Sequence, residues 1–70
     1  MEKMRIDRIK LLIELEKKGM SQKRLAELAG TSRTTVNNIR NGKTCTNDIG
    51  NRIAEALNVN LNEILETENR

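Results

Sequence analysis

The stretch that decides the fold is residues 21–42, SQKRLAELAGTSRTTVNNIRNG. Leu25 and Leu28 lie three residues apart and give its first half the apolar face of a short helix. Gly30 follows where that helix must end, at a position that usually requires a positive φ. Ser32 belongs to the residue types that favour the N-cap of a helix. The stretch therefore predicts two short helices joined by a tight turn.

The second of these helices has an apolar side and a polar side. Val36 and Ile39 are three residues apart and are expected to face inward, and the small Ala26 lets the two helices cross closely. The remaining positions carry side chains that can hydrogen-bond, namely Arg33, Thr34, Thr35, Asn37 and Asn38. A short core helix has little need of so many polar groups. The pattern is typical of a helix-turn-helix, which presents its second helix to the major groove of DNA.

At these residues the chain resembles the helix-turn-helix domain of lambdoid phage repressors and Cro proteins, also known as the xenobiotic-response-element type of bacterial regulator. The resemblance continues through residues 41–44, 53–59 and 61–65, and it covers roughly residues 11–66. The motif together with the two downstream segments at this spacing makes the resemblance specific. It implies an all-α, compact five-helix repressor-like domain that binds operator DNA.

Helical periodicity extends along most of the chain. No proline or low-complexity linker interrupts it, so we expect one domain over residues 1–70, with the helix-turn-helix formed by its second and third helices. Gly42 is expected to end the third helix with a positive φ. Little order is expected at residues 1–3 and 67–70. The five predicted helices span residues 4–18, 22–29, 33–41, 48–57 and 60–67.

Positive charge is concentrated on the motif. The chain has a net charge of +3, whereas residues 17–43 hold seven cations against Glu27 alone, a net +6. Charge alone would favour an ordinary solvated face, but its placement on the motif favours phosphate binding. The sequence has neither an apolar run long enough for a bilayer nor the apolar segment of a signal peptide. With one unpaired cysteine, these features indicate a cytoplasmic protein that has no membrane partner.

Two sets of side chains are candidates for DNA contacts, because phosphate contacts fix the register and base-edge contacts read the sequence. The base-reading candidates are Ser32, Arg33, Thr34, Asn37 and Asn38. The resemblance implies phosphate contacts for Gln22, Asn41, Lys43 and the backbone near Thr44. Thr35 and Arg40 are further phosphate candidates.

Arg33 can donate two hydrogen bonds to guanine, Asn38 can pair with adenine, and Thr34 can touch a thymine methyl group or a phosphate. Each assignment has a plainer alternative. Arg33 could be a surface cation held by Glu27 or by a phosphate. Gln22 could serve only as a helix cap.

Two residues, one in the loop after the third helix and one at the start of the fourth, need separate interpretation. Some members of the resembled family insert an arginine from this loop into the minor groove, but the matching residue here is Asp48, so that contact is not implied. A carboxylate there favours the helix N-terminus instead. Cys45 is interpreted as an ordinary small loop residue rather than a redox switch, because the chain has no second cysteine to resolve a sulfenic acid.

The first helix has more apolar residues than one buried stripe requires. Three of them match core positions of the family, namely Leu11, Leu12 and Leu15. The additional ridge consists of Ile6, Ile9 and Ile13. This ridge either packs on the fifth helix or contacts a partner subunit.

A homodimer is expected because one recognition helix reads only a few base pairs, whereas a symmetric pair reads two half-sites about 34 Å apart. The resemblance places the pairing surface in the loop before the fifth helix and on that helix. The residues concerned are Asn58, Val59, Asn60, Leu61 and Ile64.

The sequence gives no indication of an enzyme, since it has no histidine and no nucleophile beside a base. Clustered metal ligands are also lacking, so neither a metal nor a cofactor nor a small-molecule ligand is expected. An alternative to a DNA-binding repressor is an interaction module, such as an antitoxin or antirepressor, that keeps the fold and masks a partner. Such a module would not need both phosphate-contacting segments.

Overall fold

The two helices of the motif form where the sequence predicts them. The computed structural model describes residues 3–66, with α2 at Gln22–Ala29 and α3 at Arg33–Arg40. Gly30 ends α2 in the left-handed region with φ 71°, which a residue with a Cβ adopts only with strain. The Ser32 hydroxyl accepts a hydrogen bond from the Thr35 amide and so caps α3.

Two longer helices flank the motif. Helix α1 spans Arg8–Lys18 and is capped by Asp7, whose carboxylate accepts hydrogen bonds from two amides of the first turn. Helix α4 spans Asn47–Leu57 and is capped by the Thr46 hydroxyl. The prediction that the first helix begins at residue 4 is wrong, because the chain before Asp7 is extended.

That extended segment forms a small sheet that the sequence did not indicate. Strand β1, Lys3–Met4, pairs antiparallel with β2, Cys45–Thr46, which follows the motif. Lys3 is therefore ordered, against the expectation for residues 1–3; residues 1, 2 and 67–70 lie outside the described part of the chain. The predicted helical character of the domain is confirmed, but the described residues form four α-helices and this small two-stranded sheet rather than five helices.

The fifth predicted helix is also wrong. A single 3-10 turn at Leu61–Glu63 stands in its place, with the Glu63 carboxylate accepting a hydrogen bond from the Asn60 amide. Beyond the turn the chain pairs with the N-terminal segment: Asp7 N donates to Ile64 O at 2.8 Å, and Glu66 N donates to Arg5 O at 3.0 Å. These bonds, with the antiparallel bridge between Ile6 and Leu65, hold the chain beside the N-terminal segment, so the helix does not continue.

The core is aliphatic and lies between α1, the motif helices and α4. Its largest fully buried side chains are Ile6, Leu11, Leu25, Val36, Ile39, Ile53, Leu57 and Ile64. Most of these were expected from helical spacing. Ile6 differs, because it is buried ahead of α1 rather than standing on the predicted ridge.

Two leucines predicted to be apolar contacts are exposed instead. Leu12 is 40% exposed and Leu28 is 46% exposed. Helix α2 packs on both α3 and α4, and it does so through Leu25 and two alanines, which leaves Leu28 at the edge of a groove beside Arg52. No described helix is long and apolar enough to cross a membrane.

Candidate nucleic-acid interface

The outward face of α3 brings the base-reading candidates together. The first three of them and Asn37 are exposed, and Asn38 is half-buried. A groove of about 460 Å³ is lined by Gln22, Arg33, Thr34 and Asn37. The start of α2 and the start of α3 therefore share one open surface, as a helix-turn-helix requires.

Ser32 and Thr35 have local partners that limit what they can contact. The Ser32 hydroxyl donates to Thr35 Oγ1 at 3.0 Å and accepts from the Thr35 amide at 3.1 Å. The only hydrogen-bond donor of the Ser32 side chain is therefore already used within the first turn of α3. Thr35 keeps its hydroxyl proton, which can still be donated to a phosphate.

Arg33 is available for a partner outside the chain. The alternative that Glu27 holds it does not match the geometry, because Glu27 pairs with Arg24 at 3.3 Å. Within residues 3–66, Arg33 makes no ion pair or hydrogen bond through its guanidinium.

Gln22 is not the cap of α2. Ser21 holds that position, and its hydroxyl accepts from Arg24 N at 3.0 Å. Gln22 is the first residue of the helix, where backbone amides have no intrahelical acceptor and the helix dipole favours an anion. Its amide side chain lines the groove beside Arg33.

The α3–β2 loop, residues 41–44, carries the other phosphate candidates. Asn41 ends α3, and Gly42 follows with φ 93°, as expected. The Lys43 amide donates back to Asn38 O at 3.0 Å, which fixes the turn. The side chains of Arg40, Asn41, Lys43 and Thr44 are all exposed.

Sequence analysis missed Arg8, which the fold brings to this loop. The Arg8 Cδ lies 3.7 Å from the point that a Cβ on Gly42 would occupy. The two residues are far apart in the chain, and no local pattern links them. Only the pairing of β1 with β2, which carries the start of α1 to the end of α3, could have indicated the approach.

Asp48 and Cys45 have structural explanations. Asp48 lies in the first turn of α4 and pairs with Arg52 at 3.1 Å. Cys45 is buried in β2, and burial raises the pKa of its thiol, so it stays protonated and unreactive at neutral pH. Among the described residues no group of side chains could hold a metal ion.

One of the five residues predicted for the pairing surface is wrong. Ile64 is fully buried in the core and has no surface to offer a partner. Asn58 ends α4 in the left-handed region and is exposed, as is Asn60, whereas Val59 and Leu61 are half-buried. Four of the five residues thus keep surface on one side of the domain.

The profile of the Cro/C1-type HTH DNA-binding domain matches residues 10–69. The chain belongs to this family. The prediction made from the motif is confirmed, and the Cro/C1-type domain is a helix-turn-helix regulator that binds DNA, with α2 and α3 forming the motif. No curated protein matches the chain at a significant level.

Solved structures share the fold of this Cro/C1-type domain. The restriction-modification controller protein C.AhdI from Aeromonas hydrophila is 28% identical with a TM-score of 0.76, over 80% of this chain and 86% of that one. A variant of hydroxyethylphosphonate dioxygenase is 24% identical with a TM-score of 0.82. This chain is covered to 96% but spans only 15% of the dioxygenase, so that likeness concerns the fold alone.

Proposed function

We propose that this domain is a sequence-specific repressor that inserts α3 into the major groove of operator DNA and binds as a homodimer. The observation that carries the proposal is the shared groove of Gln22, Arg33, Thr34 and Asn37. Gln22, the proposed phosphate contact, lies there beside three of the proposed base readers, and Arg33 has no competing partner within residues 3–66.

The outward face of α3 has the chemistry for reading bases. Arg33 stands in the first turn, where the guanidinium can reach guanine O6 and N7 together. Asn37 and Asn38 follow about one turn later and suit adenine, while Thr34 suits a thymine methyl group. Ser32 contributes mainly by capping the helix, since its hydroxyl already donates to Thr35.

Phosphate contacts at both ends of the motif would fix α3 in the groove. Gln22 and Thr35 serve one side, and the exposed residues from Arg40 to Thr44 serve the other. Two strands of DNA backbone border the major groove, so contacts on both sides define the depth and the register of the helix.

Dimerisation would give the domain a useful site length. A helix of eight residues reads few base pairs, and a two-fold pair would read two half-sites one turn apart. The exposed parts of Asn58, Val59, Asn60 and Leu61 form the surface proposed for pairing. A repressor role requires only that the bound dimer occlude the site, and the likeness to the controller protein C.AhdI supports a regulatory function.

Selection from a pool of random duplexes tests this function. We expect one two-fold symmetric sequence to be enriched. If about six phosphates are contacted per dimer, log K against log salt should have a slope near −5. An interaction module that masks a protein partner would enrich no duplex, and that result, or a flat salt response, would overturn the proposal.

A further inference from the structure

Arg8 lies against the turn that ends the recognition helix. It is the first residue of α1, and its side chain passes over Gly42, the residue that follows the α3 C-cap. The same side chain lines a groove of about 350 Å³ together with Ile9, Leu12, Arg40 and Asn41. We name this the Arg8–Arg40 groove.

Neither arginine of this groove is held in an ion pair, although two carboxylates lie near Arg8. The neighbouring carboxylates are committed elsewhere: Asp7 accepts two backbone amides of α1, and Glu66 pairs with Arg5 at 3.7 Å. Within residues 3–66, neither Arg8 nor Arg40 makes an ion pair. Two cations without ion pairs that line one groove attract an anion and repel a second copy of the same surface.

We propose that the Arg8–Arg40 groove binds one phosphate of the DNA backbone, with Arg8 as a contact that no part of the motif supplies. The inference rests on the proposed function. The groove is continuous with Asn41, at the start of the α3–β2 loop, so a backbone that follows this loop passes it. Ile9 and Leu12 form an apolar wall, which suits the deoxyribose of a phosphodiester better than a free, fully hydrated phosphate ion.

A pair of arginine variants isolates the contact. Arg8→Ala should weaken the selected operator and a scrambled duplex equally, by roughly tenfold at low salt, and make the salt slope shallower by about one for each site lost. Arg5→Ala is the matched control, because it also removes one positive charge but its guanidinium is already paired with Glu66. It should change affinity by less than about twofold. Circular dichroism verifies that both variants fold.

The same measurements distinguish a failure of the Arg8–Arg40 groove from a failure of DNA binding as a whole. If the unaltered protein binds no duplex, the proposed function fails. If it binds steeply with salt and Arg8→Ala behaves like Arg5→Ala, only the Arg8–Arg40 groove fails.

Two further experiments test whether the groove binds a single phosphate of the DNA backbone. Because both arginines would share one phosphate, the double variant Arg8→Ala, Arg40→Ala should make the slope shallower by no more than about one per site in total; a loss of about two per site would overturn the shared site. Inorganic phosphate at constant ionic strength should not displace the operator from the unaltered protein. Displacement that Arg8→Ala abolishes would make the groove a free-anion site and overturn the proposal.

Discussion

The side chain of Met4 lies directly on Gly50, so that strand β1 approaches the first turns of α4 with no Cβ between them. A Cβ added at Gly50 would overlap Met4 Sδ. Since β1 also pairs with β2, this contact ties the N-terminal segment, β2 and α4 together. The glycine is buried and inside a helix, where close packing rather than conformation explains its presence.

Gly50→Ala should therefore destabilise the domain in one background and stabilise it in another. Alone, it forces Met4 out of place, and we expect a net loss of about 1 kcal/mol, because overpacking costs more than the helix propensity gained. In a Met4→Ala background the clash is absent, and the same change should stabilise by about 0.5–1 kcal/mol. Urea unfolding of the four proteins measures the difference. Equal effects in both backgrounds would contradict the Met4–Gly50 contact.

The crossing of α2 and α3 should depend on the small size of Ala26, which is buried. Ala26→Leu inserts bulk there and should cost about 1–3 kcal/mol, enough to threaten so small a domain. Leu28→Ala on the exposed edge of the same helix is the control and should change stability by less than about 1 kcal/mol. Thermal unfolding compares them, and an unchanged midpoint for Ala26→Leu would mean that the crossing is misplaced.

The parts of the fold that depend on residues close together in the sequence were predictable. Gly30 and Ser32 mark the turn of the motif, and spacing identifies Leu25, Val36 and Ile39 as core. Long-range pairing was not predictable. Residues 3–4 and 64–66 have helix-compatible sequences, but hydrogen bonds to a segment about forty to sixty residues away keep each of them out of a helix. Tertiary context overrides such weak local preference.

The candidate interface also has one part that the sequence predicts and one part that it does not. The outward face of α3 follows from helical phase, and the structure gathers Gln22 with Arg33 as the motif implies. The hydrogen bond between Ser32 and Thr35 and the approach of Arg8 to Gly42 depend on rotamers and packing. Neither has a signature in the sequence, and the base and phosphate assignments remain predictions.

Burial of Cys45 should make stability depend on pH in the alkaline range. Because burial raises the pKa of the Cys45 thiol in the folded state, the folded protein keeps this proton at alkaline pH values at which the unfolded chain releases it. The contribution is complete below the unfolded pKa and is lost as pH rises through the folded pKa. Urea unfolding at pH 7 and 9.5 should show a larger loss for the unaltered protein than for Cys45→Ala. Identical losses would mean that the thiol is solvated.

The surface of residues 58–61 and the exposed face of α1 are the two candidates for a homodimer contact. One pair of variants distinguishes them. Leu61→Asp places a charge on the proposed pairing surface and should weaken cooperative operator binding. Ile9→Asp alters the exposed face of α1, where Ile9 is 66% exposed and Ile13 is 50% exposed, and should leave self-association unchanged. Sedimentation measures association once circular dichroism shows that both variants fold. If only Ile9→Asp breaks the dimer, α1 forms the interface.

The sharpest prediction separates base reading from phosphate binding. Arg33→Ala should cost about 1–3 kcal/mol on the selected operator and relax specificity at one position of each half-site, because it removes two hydrogen bonds to one base. Lys43→Ala should weaken all duplexes about equally and make the salt slope shallower by about one per site lost. The contrast arises because Arg33 begins α3 on its outward face, whereas Lys43 lies in the turn beyond its end. Affinities for operator and scrambled duplex at several salt concentrations measure both effects. If Arg33→Ala lowers both affinities by the same factor, Arg33 contacts only phosphate, and sequence reading must rest on Thr34, Asn37 and Asn38.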